Sequence, residues 1–290
     1  MNTMLLGVLM ALTSAFSWAA STILIKAGMK NKSPIAANIF RLYAVSLMFA
    51  VIFAADGTFS GLSVLSGKEL LVAFISAQFG FVIGDYFYLT ALKLMGVSRT
   101  VPITSTYPLW AILWAFLFLG RPINIQIIAG AVLIVTAIIV VRKAEEEERI
   151  NPKGFIFALL APLSWSFAIM TMDWLTVQGM QVLALAGIRM MFAAIGVSIF
   201  LPGHLRELRT ITLQEALLLT GAAVSGLLIG QYLFVYSINL VGSQIAAPVS
   251  AINPLIASSM AIFFLKEPPN RKILEGLILA VMGVILISTA

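Results

Sequence analysis

Three of the charged side chains that lie inside apolar stretches of the sequence could do chemistry there. Asp85 lies within the apolar run 70–92, and Arg41 and Arg189 lie several residues inside two other apolar runs. At membrane depth a carboxylate can exchange a proton or bind a cation, and a guanidinium can bind a carboxylate or phosphate through two parallel hydrogen bonds. Each has a structural alternative. Asp85 could lie at a helix end or could bond to neighbouring backbone, and the arginines could extend to the membrane interface.

The composition predicts that membrane helices position these side chains. Hydrophobic residues make up 61% of the 290 residues and charged residues only 10%, whereas a soluble domain has about 25% charged residues. A helix needs about 20 mostly apolar residues to cross a bilayer. Ten stretches meet this need: 4–25, 35–55, 70–92, 100–120, 123–141, 154–175, 181–201, 214–238, 246–265 and 273–289. We therefore expect an all-α polytopic membrane protein with ten transmembrane helices.

The sequence lacks the parts of most enzymes. It has no cysteine, which excludes disulfides, thiolate metal sites and a cysteine nucleophile, and its single histidine cannot form a histidine cluster. It has no Gly-x-Ser-x-Gly, Walker or His-Glu-x-x-His motif. The basic residues are scattered between apolar runs, which argues against nucleic acid as a partner. We expect no enzymatic activity, no cofactor and no metal.

The two halves of the chain resemble each other. Residues 69–122 align on 215–268 without a gap, and 17 of the 54 pairs are identical, including glycines, prolines and a tyrosine in one order. At similar offsets Trp18 pairs with Trp165 and Arg41 with Arg189. We expect a first five-helix repeat at residues 1–143, a charged linker at 144–150 and a second five-helix repeat at 151–290.

An odd number of helices in each repeat predicts that the second repeat starts on the opposite side of the membrane. This is an inverted-topology repeat. Fourteen of the 18 basic residues fall in predicted loops on one side, and two fall in loops on the other. The positive-inside rule then places the rich side in the cytoplasm and both termini outside.

Prolines interrupt the fourth and ninth predicted spans at equivalent places. They are Pro102 and Pro108 in the first repeat and Pro248 and Pro254 in the second. Matching breaks in two repeats point to the central site of a membrane carrier. Tyr107 and Asn253 each directly precede one of these prolines.

The candidate site residues are polar or aromatic and lie deep in predicted spans. The substrate-binding candidates are Trp18, Arg41, Tyr86, Tyr88, Tyr107, Trp165, Arg189, Gln231, Tyr232 and Asn253, and Asp85 is the candidate for proton coupling. Packing between helices is the alternative for the two tryptophans. The patterns Gly80-x-x-x-Gly84 and Gly226-x-x-x-Gly230 predict close helix packing, with the third and eighth spans approaching each other.

The combination resembles the EamA-type family of the drug/metabolite transporter superfamily. The likeness rests on the two five-helix repeats, the Ser-Trp pairs at 17–18 and 164–165, and Phe-Leu-Lys-Glu-Pro at 264–268. The first repeat departs from this pattern, with Gly-Arg-Pro at 120–122. The resemblance implies a secondary carrier with a cavity between its repeats. It also implies cytoplasmic termini, against the charge count, and we favour the charge count.

These observations predict a secondary transporter of the plasma membrane. It would move a small polar metabolite, most plausibly an amino acid or related compound, outward by alternating access. A lipophilic-cation or drug exporter is one alternative, and a membrane-embedded lipid-acting enzyme or scaffold is another. The expected partners are a small-molecule solute and membrane lipid, with a homodimer as an open alternative to a monomer. The first, third, fourth, sixth, eighth and ninth spans should line the cavity, with the fifth and tenth peripheral.

Overall fold

A computed structural model of the chain describes residues 2–29, 32–62, 65–95, 100, 103–142, 151–264 and 271–290. All the regular structure within these residues is helical. The predicted linker 144–150 lies outside them.

Twelve helices organise the described residues. In the first half they are α1 (Thr3–Gly28), α2 (Pro34–Asp56), α3 (Thr58–Leu62), α4 (Gly67–Met95), α5 (Tyr107–Leu119) and α6 (Ile125–Arg142). In the second half they are α7 (Pro152–Val177), α8 (Val182–Arg209), α9 (Leu213–Val241), α10 (Ser243–Ser250), α11 (Asn253–Phe264) and α12 (Arg271–Ser288).

Within the described residues, six helices are long and apolar enough to cross a membrane: α1, α2, α4, α7, α8 and α9. The apolar parts of α5, α6 and α12 are shorter than 18 residues. The predicted fourth span is interrupted by a turn at Ser105 and Thr106, with helical residues Ile103 and Thr104 before it and α5 after it. The ninth is divided into α10 and α11 by a turn at Ala251 and Ile252. These breaks precede Tyr107-Pro108 and Asn253-Pro254, because proline has no N–H to continue the helix.

The third predicted span of each repeat begins with the same capping motif, at α4 and at α9. Ser66 caps α4 and Glu69 bonds back to the cap, and Thr212 and Glu215 form the same capping box at α9. Two N–H groups that the helix cannot pair are satisfied in each case. The matching caps start α4 and α9 at equivalent residues.

The helices of the two repeats are interleaved. Helix α1 packs along α9 and α11 of the second repeat, and its counterpart α7 packs along α4 and α5 of the first. Helices α2 and α8 pack against each other, as do α6 and α12. This reciprocal exchange has the form of a pseudo-two-fold relation between the repeats.

The outer surface of the helical body is apolar. Large side chains such as Leu47, Phe118 and Ile199 are mostly exposed. An apolar surface that extends over several helices is unfavourable in water but favourable in contact with lipid. The chain is therefore a membrane protein.

Candidate functional site

A cavity of about 300 Å³ lies between the two repeats. Eight of the eleven candidate residues line it: Trp18, Arg41, Asp85, Tyr107, Trp165, Arg189, Gln231 and Asn253. Four come from each repeat. The volume is at the lower end of the range for small-molecule sites, about 300–1,000 Å³.

Two π-helical segments shape the cavity wall at equivalent places. They are Gln78–Ile83 within α4 and Ala223–Gly230 within α9. A π-helical turn holds an extra residue and so changes which later side chains face inward. Asp85 and Gln231 follow these segments and both line the cavity. No pattern in the sequence predicted the π-helical segments.

Each cavity tryptophan packs on a glycine of the other repeat. A Cβ added to Gly230 would lie 2.7 Å from Trp18 Cδ1, and one added to Gly84 would lie 2.5 Å from Trp165 Cδ1. The small-residue patterns therefore allow close packing as expected. Their partners are α1 and α7, however, and not each other. An indole ring fills the space above each glycine.

The Asp85 carboxylate lies among neutral donors. Trp165 Nε1 donates to Asp85 Oδ1 at 3.1 Å, and Asn38 Nδ2 donates to Oδ2 at 3.5 Å. Asp85 also interacts electrostatically with Arg41, without a direct ion pair between them. Asn38 was not a candidate in the sequence. Asn38 lies three residues before Arg41, which places both on one face of α2, and this spacing could have identified Asn38 from the sequence.

The two arginines point inward from α2 and α8. Arg189 is only 1% exposed, so its guanidinium does not extend to the interface. Arg41 lines the cavity, and its Nε is buried without a hydrogen-bond partner. The second and seventh predicted spans therefore also line the cavity, which the sequence analysis had not included. The described residues of α6 and α12 do not line it.

Three candidate tyrosines lie outside the cavity lining. Tyr86 is 42% exposed and its ring stacks on Phe200, while Tyr232 is 36% exposed beside Tyr236. Each follows a cavity residue by one position, which turns its side chain about 100° around the helix. The Tyr88 ring centroid lies 5.3 Å from that of Trp165, behind the cavity wall.

One buried charge cluster was not predicted. Asp173, near the end of α7, is fully buried and accepts hydrogen bonds from Ser243 N at 2.8 Å and Ser243 Oγ at 2.7 Å. Arg121 donates to both carboxylate oxygens, with Nε 3.3 Å from Oδ2. The sequence could have pointed to this cluster, because Asp173 lies inside an apolar run. The cluster ties the ends of α5 and α7 to the start of α10.

A full-length relative and a solved structure are similar to this chain. A protein of Archaeoglobus fulgidus described as an uncharacterized transporter is 29% identical over 285 residues, covering 98% of each chain. A crystal structure described only as that of a protein has a TM-score of 0.79 at 16% identity, covering 97% of this chain and 95% of the other. At that identity it shows the fold alone.

A shorter match comes from Methanocaldococcus jannaschii. An uncharacterized protein there is 33% identical over 86 residues, which cover 29% of this chain and 63% of the relative. The profile of the EamA-like transporter family matches residues 5–143 and 152–289. These two matches cover nearly the whole chain, one in each half. The chain therefore belongs to the EamA-like transporter family.

Proposed function

We propose that this chain is a secondary carrier of the plasma membrane that exports a small polar metabolite by alternating access, with an amino acid or related compound as the favoured solute. The observation that carries the proposal is the cavity of about 300 Å³ between the repeats. It combines charged and polar groups from both repeats with aromatic walls. Rocking of one repeat against the other would expose such a site to each side in turn.

Asp85 is the proposed coupling residue. Its carboxylate accepts hydrogen bonds from the Trp165 indole and the Asn38 amide and interacts electrostatically with Arg41. Protonation would remove a negative charge from the cavity and weaken all three interactions. A proton could therefore bias the relative stability of the two repeat orientations, because any ligand shifts an equilibrium by its differential affinity.

Export of a lipophilic cation is the second candidate. Asp85 accepts a hydrogen bond from the Trp165 indole, and the Tyr88 ring packs against that indole, so the carboxylate lies beside aromatic rings in a setting that suits a cation. The two cavity arginines act against it, because like charges repel more strongly in a protein interior than in bulk water. We therefore rank the cation below an anionic or zwitterionic solute.

Transport into proteoliposomes tests the proposal. Purified protein is assayed for uptake of a radiolabelled amino acid mixture with and without a pH gradient. We expect the gradient to accelerate uptake several-fold in the wild type and to have no effect on Asp85→Asn. Glu275→Gln, which alters an exposed carboxylate paired with Arg271 on α12, is the control and should behave as wild type.

Two outcomes would count against the proposal. Uptake that is unchanged by the pH gradient and by Asp85→Asn would show that Asp85 does not couple transport to protons. An absence of uptake and of counterflow for amino acids, together with gradient-driven uptake of a quaternary amine, favours the cation exporter.

A further inference from the structure

The two cavity arginines occupy equivalent places in the repeats, but their surroundings differ. Arg41 interacts electrostatically with Asp85, and its NH2 group lies 3.5 Å from Ser21 Oγ. The residue equivalent to Asp85 in the second repeat is Gln231, which is neutral. Within the part of the chain that the structure describes, Arg189 therefore has no counter-charge equivalent to the one beside Arg41.

The guanidinium of Arg189 is held in one orientation by neutral groups. Its Nε donates to Ser76 Oγ at 3.0 Å, its NH1 lies 3.5 Å from Gln231 Oε1, and its Cζ lies 5.2 Å from the Phe81 ring centroid. An arginine has five N–H donors. Among the described residues, these two acceptors use two of the five. The remaining N–H groups are available to a ligand in the cavity that Arg189 lines.

The charges of the cavity lining do not balance. Among the described residues, the charged groups of the lining are Arg41, Arg189 and Asp85, whose formal charges sum to one positive charge. Burial of a charge without a partner is unfavourable, and within the described residues no carboxylate pairs with Arg189. A solute with one negative charge would supply the missing partner.

We propose that Arg189 binds the carboxylate of the transported solute, and that the site takes a monocarboxylate and does not require an ammonium group. This inference rests on the proposed carrier function. A carboxylate matches the planar fork of a guanidinium. A phosphate monoester also fits the fork, but it carries about 1.5 to 2 negative charges at neutral pH and would overcompensate the site.

The apolar part of the cavity lining determines which apolar groups of a solute fit. Ile169, Met172, Leu227 and Phe234 line it beside the two tryptophans. These walls suit a short apolar group, because apolar surface is removed from water when they are filled. A branched aliphatic acid of five or six carbons combines such a body with a single carboxylate.

A matched ligand series tests the proposal on the full chain in detergent. The ligands are 4-methylpentanoate, leucine, 3-methylbutylamine and 3-methylbutyl phosphate, which share a branched body and differ in charge. Binding is measured by calorimetry for the wild type, Arg189→Lys and Arg41→Lys. We expect 4-methylpentanoate to bind at least as tightly as leucine and both to bind at least tenfold more tightly than the amine.

The arginine variants separate the two equivalent positions. Arg189→Lys keeps the charge but loses the fork, so we expect at least a tenfold loss of carboxylate affinity, against less than threefold for Arg41→Lys. Melting temperatures of the ligand-free variants report whether the fold is kept. The amine or the phosphate binding most tightly, no binding of the carboxylate, or equal losses in both variants would overturn the proposal. Gradient-driven uptake of another solute would still leave the carrier function standing.

Discussion

Asp173 and Asp85 are both interior carboxylates, but their neighbours differ in kind. Asp173 accepts from the Arg121 guanidinium and from two groups of Ser243, so its hydrogen-bonding capacity and its charge are both met by the protein. Asp85 accepts from neutral donors and lines the cavity. The first carboxylate holds helix ends together, and the second is open to a solute or a proton.

Asp173→Asn should destabilise the protein. The change leaves the partly exposed Arg121 without its counter-charge and replaces the charged acceptor of the Ser243 hydrogen bonds by a neutral one. Losing a hydrogen bond to a charged group costs about 1.5–3 kcal/mol. We expect a clear fall in the melting temperature in detergent. Glu275→Gln breaks an exposed pair and should change stability by less than about 1 kcal/mol. Equal effects of the two substitutions would contradict this role for Asp173.

Gly230→Ala should displace Trp18 from the cavity wall. The new Cβ would lie 2.7 Å from Trp18 Cδ1, closer than packed atoms allow. We expect a shift of intrinsic tryptophan fluorescence and a loss of solute uptake. Gly203→Ala, at a helical glycine with no heavy atom within 4 Å of the added Cβ, is the control. Wild-type fluorescence and uptake in Gly230→Ala would show that the close approach is unnecessary.

At the scale of elements, the cavity is built where helices depart from regular α geometry. Helices α4 and α9 contain π-helical segments beside it, and turns precede α5 and α11 at equivalent residues. Tyr107 and Asn253, the first residues after these turns, both line the cavity. Irregular backbone at membrane depth is tolerated where protein buries it or a cavity adjoins it.

Pro108→Ala should impair transport more than it impairs folding. Alanine supplies an N–H that can bond to the carbonyl of Thr104, four residues earlier, and so favours a continuous helix across the turn. Tyr107 would then lose its position on the cavity wall. We expect at least a several-fold fall in uptake with little change in melting temperature. Pro152→Ala, at the first turn of α7, is the control. A Pro108→Ala variant with normal uptake would show that the break is dispensable.

At the scale of the whole molecule, the described helices of each repeat pack mainly against the other repeat. The main partners of α1, α2 and α6 are helices of the second repeat, and the cavity draws four candidate residues from each half. The polar groups that would bind a solute are therefore brought together only when both repeats are packed. Relative movement of the repeats would rearrange the walls on both sides of the cavity together.

Reporter fusions test the inverted arrangement of the repeats. The five spans per repeat that the sequence predicts would place residues 1 and 147 on opposite sides of the membrane, and the positive-inside rule would place residue 147 in the cytoplasm. We expect a periplasm-type reporter to be active at residue 1 and a cytoplasm-type reporter at residue 147. Labelling of both positions from the same side would rule out the inverted arrangement.

The amino-acid sequence alone determined the helical class, the repeat and the residue types of the cavity. Apolar runs, cap signals such as Ser66 to Glu69 and the alignment of Gly84 with Gly230 are properties of linear order. They can be read without knowing which helices meet. The same is true of the deep placement of Arg41 and Arg189, because a charge within an apolar run is visible in the sequence.

Only the tertiary structure decided which of these residues meet. The exchange of partners between repeats sets Trp18 above Gly230, and the π-helical segments determine that Asp85 faces inward while Tyr86 faces outward. The contrast between Arg41 and Arg189 likewise depends on contacts between distant segments. Helix rotation and pairing arise from packing over the whole chain, and local sequence patterns do not encode them.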